Sequence, residues 1–236
     1  MKKHIPNLFT CLNLFSGCVA CVMAFHGNYG WVVFFVVTGS IFDFFDGFLA
    51  RILNAPSAIG KELDSLADMV TFGVAPSLIL FYYLKDNVAD TIFEPVQTIL
   101  PYFAFLLAVF SALRLAKFNI DTRQASSFIG VPTPANALFW ISLCYGLNEY
   151  IVAGNIEIII LLVLIVIFSL LMTSEIPMFS LKIKQFKIKG NEKQLILILF
   201  TVVSVAVFKI TGIAISILFY ILLSIITTRK HKNEQI

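Results

Sequence analysis

The sequence predicts an all-α integral membrane protein of about eight transmembrane helices, forming a single polytopic domain over residues 1–236. Three observations carry that expectation. Hydrophobic residues make up 59% of the chain and charged residues 13%, where average proteins hold about 45–50% and about 25%. Apolar runs long enough to span a bilayer recur between short polar breaks. Basic residues gather in alternate breaks. This composition excludes a soluble fold, and with a formal charge of only +3 it fails both compositional conditions for disorder. Eight spans with short connections fill the chain and leave no room for a separate soluble domain. Neither a nucleic-acid module nor a repeat of fixed period is visible.

The first run, 6–26, follows Met1-Lys2-Lys3-His4 as a signal peptide would. At about 20 residues it exceeds the 7–15 of a signal h-region, so it reads as an uncleaved first helix. Runs at 29–53, 60–84 and 97–118 come next. The fifth, 133–151, begins where Pro132 and Pro134 keep the backbone extended. Runs at 155–174, 193–208 and 211–228 complete the set. Only Lys209 and Gly212 divide the last two, which leaves one long kinked segment as a second reading. Cys11, Cys18, Cys21 and Cys144 all lie within apolar runs and form no extracellular disulfide framework. Cys18 and Cys21 lack the second pair or neighbouring His of a zinc site and read as packing residues.

Eight spans put both termini on one side of the membrane. That side collects fifteen of the seventeen Lys and Arg residues, with only Lys85 and Lys209 opposite. Positive-inside bias therefore places both termini in the cytoplasm and the chain in the cell's inner, cytoplasmic membrane. Segment 182–193 alternates basic and apolar residues, and reads as a cytoplasmic loop lying on anionic headgroups.

Ten of the fourteen acidic residues fall in connections or near span ends. Asp43 and Asp46 in the second span, and Asp64 and Asp68 in the third, do not. An aspartate at the centre of a span costs about 2.5–3.5 kcal/mol to insert, and less toward its ends. Asp43, Asp46, Gly47 and Ala50 share an arc of about 100° on one helix, and Gly60, Asp64 and Asp68 an arc of about 80° on the next. Four ionised carboxylates in one small site repel one another unless cations are bound, and two divalent ions would cancel their charge. Oxygen-only donors favour Mg²⁺ or Mn²⁺, with Ca²⁺ a further candidate. A two-metal carboxylate site grips phosphate oxygens, and Arg51 adds a forked phosphate donor nearby. From charge alone, catalysis and divalent-cation transport are both open. Against transport, the carboxylates cluster in two adjacent spans near one face, with no counterpart in residues 130–236.

The run Asp43-Phe-Phe-Asp46-Gly47-Phe-Leu-Ala50-Arg51, then Gly60, Asp64 and Asp68, matches without a gap the signature of the CDP-alcohol phosphatidyltransferase family, which it closely resembles. Three further stretches look like phosphatidylserine synthases of bacteria and archaea: Ile5–Gly17, Arg114–Asn119 and Phe128–Ala135. Residues 5–136 thus form the expected catalytic region, with the signature at 43–68, while 137–236 add further membrane helices. Lys117 stands where many relatives carry Arg, and Val131 where many carry Leu.

The resemblance implies a CDP-alcohol phosphotransferase-type bundle that moves a phosphatidyl group from CDP-diacylglycerol to L-serine, releasing CMP. It also implies a homodimer. Asp43, Asp46, Asp64 and Asp68 would hold the two metals, and Asp68 would serve as general base. Asn7, Thr10, Asp46, Gly47, Ala50, Arg51 and Gly60 would contact the nucleotide. Arg114 and Lys117 are the candidates for the acceptor's carboxylate or the phosphate in flight, although basic residues at that end of a span also satisfy the positive-inside bias. Glycerol 3-phosphate or inositol phosphate remain alternative acceptors.

Overall fold

The computed structural model describes residues 4–54, 57–88, 94–121, 128–150, 154–179 and 191–233, and these are almost entirely helical. Helix α1 (His4–Phe25) and helix α2 (Tyr29–Ile52) form an antiparallel hairpin through a turn at Gly27. The inner stripe of α1 is Pro6, Thr10, Asn13, Gly17, Ala20 and Ala24, a helical spacing of small and polar residues. Leu8, Phe15, Val22 and Phe25 point outward and stay exposed. That inversion suits a bilayer, where lipid solvates the large apolar side chains and small residues bring backbones together.

Helix α3 (Ala58–Asp68) opens on Ser57, whose hydroxyl accepts from the Gly60 N–H and caps the first turn. The sequence predicts one continuous helix over 60–84. Instead a π-helical turn, Met69–Val74, interrupts it before helix α4 (Ala75–Val88). The wider turn is held from both sides. The Thr71 hydroxyl donates to the Asn13 carbonyl at 3.0 Å. Gly17 on α1 and Gly39 on α2 leave space for Thr71 that any side chain there would fill. Tyr83 on α4 donates to Glu157 at the other end of the bundle.

The expected span at 97–118 is also segmented. Short helix α5 (Glu94–Ile99) passes into a 3₁₀ stretch, Leu100–Phe105, before helix α6 (Leu106–Ile120). Pro101, at the start of the 3₁₀ stretch, lacks the N–H that a continuing α-helix would use. Helices α7 (Thr133–Tyr150) and α8 (Asn155–Thr173) pack through Phe139 stacked on Phe168 at 4.1 Å, with Trp140 edge-on. Strands β1 (Phe128–Ile129) and β2 (Pro177–Met178) pair antiparallel and strap the start of α7 to the end of α8. In that strap Val131 N–H donates to the Leu171 carbonyl, and Gly130 takes φ +75° where a Cβ would overlap the Met172 carbonyl oxygen and stand 3.1 Å from that of Leu171.

Helices α9 (Glu192–Phe208) and α10 (Thr211–Asn233) resolve the two readings of residues 193–228. They are separate helices folded back on each other, with Lys209 at φ 51°, Gly212 pressed onto the Ser204 carbonyl, and Phe200 stacked on Phe219 at 4.1 Å. Among the described residues, five helical stretches are long and apolar enough to cross a membrane: His4–Phe25, Tyr29–Ile52, Ala58–Val88, Gln97–Ile120 and Asn155–Thr173. This is a membrane protein. The three other expected spans coincide with α7, α9 and α10, which are shorter or more polar than that measure requires. Most of the 182–193 segment, Lys2, Lys3 and Arg123 lie outside the described residues.

Candidate active site

Helices α2 and α3 follow one another through a short connection, with Asp43 in the second half of one and Asp64 and Asp68 in the other. Asp43 on α2 and Asp64 and Asp68 on α3 each offer a carboxylate oxygen within 4.8 Å of the others. Asp43 and Asp64 come within hydrogen-bonding reach. One Asp64 oxygen is buried with no partner. Three acidic groups at such distances, one with an orphaned oxygen, fit a hard divalent cation, and the donor set is all oxygen.

Asp46 stands to one side of this triad. Its Oδ2 accepts from the Thr10 hydroxyl at 2.6 Å, and it is within electrostatic reach of Asp43 and Asp64. Asp68, nearly fully buried, accepts from Asn13 Nδ2 at 3.2 Å. Because Asn13 also receives the Thr71 hydroxyl on its carbonyl, the π turn, α1 and the innermost carboxylate form one hydrogen-bonded chain.

Beside the carboxylates lies a cavity of about 230 Å³ lined by Pro6, Asn7, Thr10, Asp46, Gly47, Ala50, Ser57, Gly60, Lys61 and Asp64. Of the seven residues expected to contact a nucleotide, Asn7, Thr10, Asp46, Gly47, Ala50 and Gly60 line it. Gly47 opens onto free space, while Gly60 is covered by Asn7 Oδ1, 3.0 Å from where a Cβ would stand. Arg51 does not line the cavity. Its Nε donates to the Gly47 carbonyl one turn back, at the exposed end of α2. Pro6, Ser57 and Lys61 were not expected there. Ser57 was findable as a helix N-cap, whereas Lys61 is placed by a contact far along the chain, its ammonium donating to the Asn119 carbonyl at 2.8 Å.

Arg114 and Lys117, one turn apart on α6, part company. Arg114 is 6% exposed, donates through Nη1 to Thr133 Oγ1 at 3.3 Å, keeps Nε unpartnered, and feels the charge of Asp68. Lys117 faces outward and pairs with Glu175 at 2.5 Å beyond the end of α8. The structure therefore brings Arg114 toward the carboxylates and turns Lys117 away from them. The separation follows from Glu175, which offers Lys117 an anion at the protein surface.

Comparison with known proteins agrees with this arrangement. The CDP-alcohol phosphatidyltransferase family model matches residues 3–232. A Helicobacter pylori protein named CDP-diacylglycerol–serine O-phosphatidyltransferase is 36% identical over 225 residues, covering 94% of this chain and 89% of that protein. Proteins of the same name from Bacillus subtilis and Methanocaldococcus jannaschii are 36% and 33% identical, over 64% and 68% of this chain and 81% and 70% of theirs. With its acidic signature assembled at one end of a helical membrane bundle, the chain belongs to the CDP-alcohol phosphatidyltransferase family.

Proposed function

We propose that this protein transfers the phosphatidyl group of CDP-diacylglycerol to the hydroxyl of L-serine, giving phosphatidylserine and CMP, at the cytoplasmic end of an eight-span bundle whose termini are both cytoplasmic. The observation that carries the reading is Arg114. A buried guanidinium with an unpartnered Nε, beside Asp68, is suited to an acceptor that brings a carboxylate with it. The printed names of the relatives favour serine as that acceptor.

In this mechanism the cytidine diphosphate lies in the cavity under Asn7, Thr10, Gly47, Ala50 and Gly60, and the acyl chains stay in the leaflet outside α1 and α2. Asp43, Asp46, Asp64 and Asp68 would hold two divalent cations, Mg²⁺ or Mn²⁺, which when bound neutralise phosphate charge. Arg114 receives the serine carboxylate and turns the hydroxyl toward Asp68. Asp68 takes the hydroxyl proton as the serine oxygen bonds to the phosphorus bearing diacylglycerol. The bond from that phosphorus to the CMP oxygen breaks, and CMP departs through the cavity. A positioned base of this kind is worth about 10²–10⁴-fold. Arg51, at the exposed mouth, needs only a rotamer change to leave the Gly47 carbonyl for a phosphate. Two copies of the chain would associate as a homodimer.

Purified protein in detergent with Mn²⁺ or Mg²⁺ and CDP-diacylglycerol tests the reading against a panel of alcohols. CMP release should require serine. Release with glycerol 3-phosphate or inositol phosphate and none with serine would overturn the choice of acceptor.

A further inference from the structure

Asn136 on α7 is fully buried, and neither its carboxamide oxygen nor its nitrogen has a hydrogen-bond partner. Two orphaned polar atoms on one interior side chain cost about 1–3 kcal/mol each unless something answers them. The surroundings indicate what could. Thr133, three residues earlier on the same face, accepts the hydrogen bond from Arg114. Helices α7 and α10 run antiparallel: Gly146 touches Thr211 at one end, and at the other the Tyr220 hydroxyl donates to Phe179, next to the strap that precedes Thr133. Equal helical rise from the Gly146–Thr211 contact sets Tyr220 level with Ala137, beside Asn136. Arg114, in turn, lies within electrostatic reach of both Tyr220 and Asp68. Asn136 thus shares a face of α7 with Thr133, the residue that receives Arg114.

Resting on the function proposed above, we propose that Asn136 is the amine-binding residue of the acceptor site, its carboxamide oxygen accepting from the ammonium of serine while Arg114 holds the carboxylate. The 3.3 Å contact from Arg114 to Thr133 is the weak closure of this enclosure. A guanidinium drawn onto a carboxylate would give up this contact and release Thr133, three residues from Asn136 on the same face of α7. Serine presents both charges at once. An acceptor with a carboxylate and no amine would move Arg114 and leave Asn136 unanswered, so the pair selects an amino acid over a simple hydroxy acid.

The test uses the full chain in detergent, with serine KM from CMP release and 3-hydroxypropionate, which lacks the amine, as a competitor. Asn136→Leu should raise serine KM at least about tenfold, leave KM for CDP-diacylglycerol within about twofold, and weaken 3-hydroxypropionate by less than about twofold. Its unfolding temperature should not fall, because an apolar side chain of similar size loses no bond there. Asn136→Thr, smaller and still polar, gives the same readout should the leucine variant fold poorly. An unchanged serine KM, or equal weakening of both compounds, would overturn the assignment. A wild-type protein that releases no CMP with serine would overturn the proposed function itself, a result read before any variant is made.

Discussion

Replacing Gly17 with alanine should loosen the site from about one turn beyond Asn13 along α1. A Cβ at Gly17 would stand 2.9 Å from the Thr71 Cα and 3.0 Å from the Thr71 nitrogen, where carbon atoms ordinarily keep about 3.5–4.0 Å. These are backbone atoms and no rotamer relieves them, so α1 and the π turn must separate by about 0.5–1 Å. Overpacking of this kind costs about 1–3 kcal/mol. The Thr71–Asn13 hydrogen bond, now 3.0 Å, would open past 3.5 Å and forfeit about 0.5–1.5 kcal/mol more. A total of about 1.5–4.5 kcal/mol corresponds to a fall of roughly 3–18 °C in apparent Tm in detergent. Because Asn13 also holds Asp68, activity should drop by more than the folded fraction does, on the order of tenfold to a hundredfold. Gly47→Ala is the contrasting variant: nothing lies within 4 Å of its added carbon, so Tm should hold while KM for the CDP-lipid rises. Adding Thr71→Ala to Gly17→Ala removes the side-chain overlap alone and should restore stability only in part. A Gly17→Ala protein that melts and turns over as wild type would refute the π turn as a clamped element.

Asp68→Asn should abolish CMP release while Mn²⁺-dependent binding of CDP-diacylglycerol, followed by equilibrium dialysis, persists; full activity would remove Asp68 from the base role. Arg114→Ala should raise serine KM about tenfold or more, and more than the CDP-lipid KM. Lys117→Ala, which breaks only a half-exposed ion pair worth about 0–1 kcal/mol, should leave serine KM within about twofold. Equal effects from the two substitutions would contradict the different sides that α6 gives them. Gly130→Ala forces a left-handed residue against the Leu171 and Met172 carbonyls and should lower apparent Tm well below that of Gly47→Ala, read by thermal unfolding.

The carboxylate triad and the Asp46, Gly47, Ala50 and Gly60 part of the cavity lining were legible because they depend on spacing within two adjacent helices, whereas Asn7 and Thr10 came only with the family resemblance. Asp43 and Asp46, then Gly60, Asp64 and Asp68, face one way for any α-helix, and a short turn brings the faces together. What the sequence did not reveal depends on partners distant along the chain. Lys117 reads as equivalent to Arg114 until Glu175, nearly sixty residues on, is seen to take it. The π turn at 69–74 leaves hydropathy unchanged, and its cause, Thr71 wedged between Gly17 and Gly39, is a three-helix contact that no periodicity encodes. Asn136 sits in an apolar run, and only its burial without partners sets it apart from an ordinary packing residue. The run at 97–118 reads in sequence as one unbroken span, whereas Pro101 tightens its first part into a 3₁₀ stretch without ending it.

With the acceptor seated beside Arg114 as proposed, the antiparallel packing of α10 on α7 would give the second half of the chain a part in choosing what the first half reacts with. Every residue lining the cavity beside the carboxylates comes from 6–64. The enclosure around Arg114 draws its walls from α6, α7 and α10. Changes at Thr133, Asn136 or Tyr220 can therefore re-line the acceptor side without displacing an aspartate. On the proposed assignment, nucleotide chemistry and the identity of the incoming alcohol would be free to evolve on separate helices.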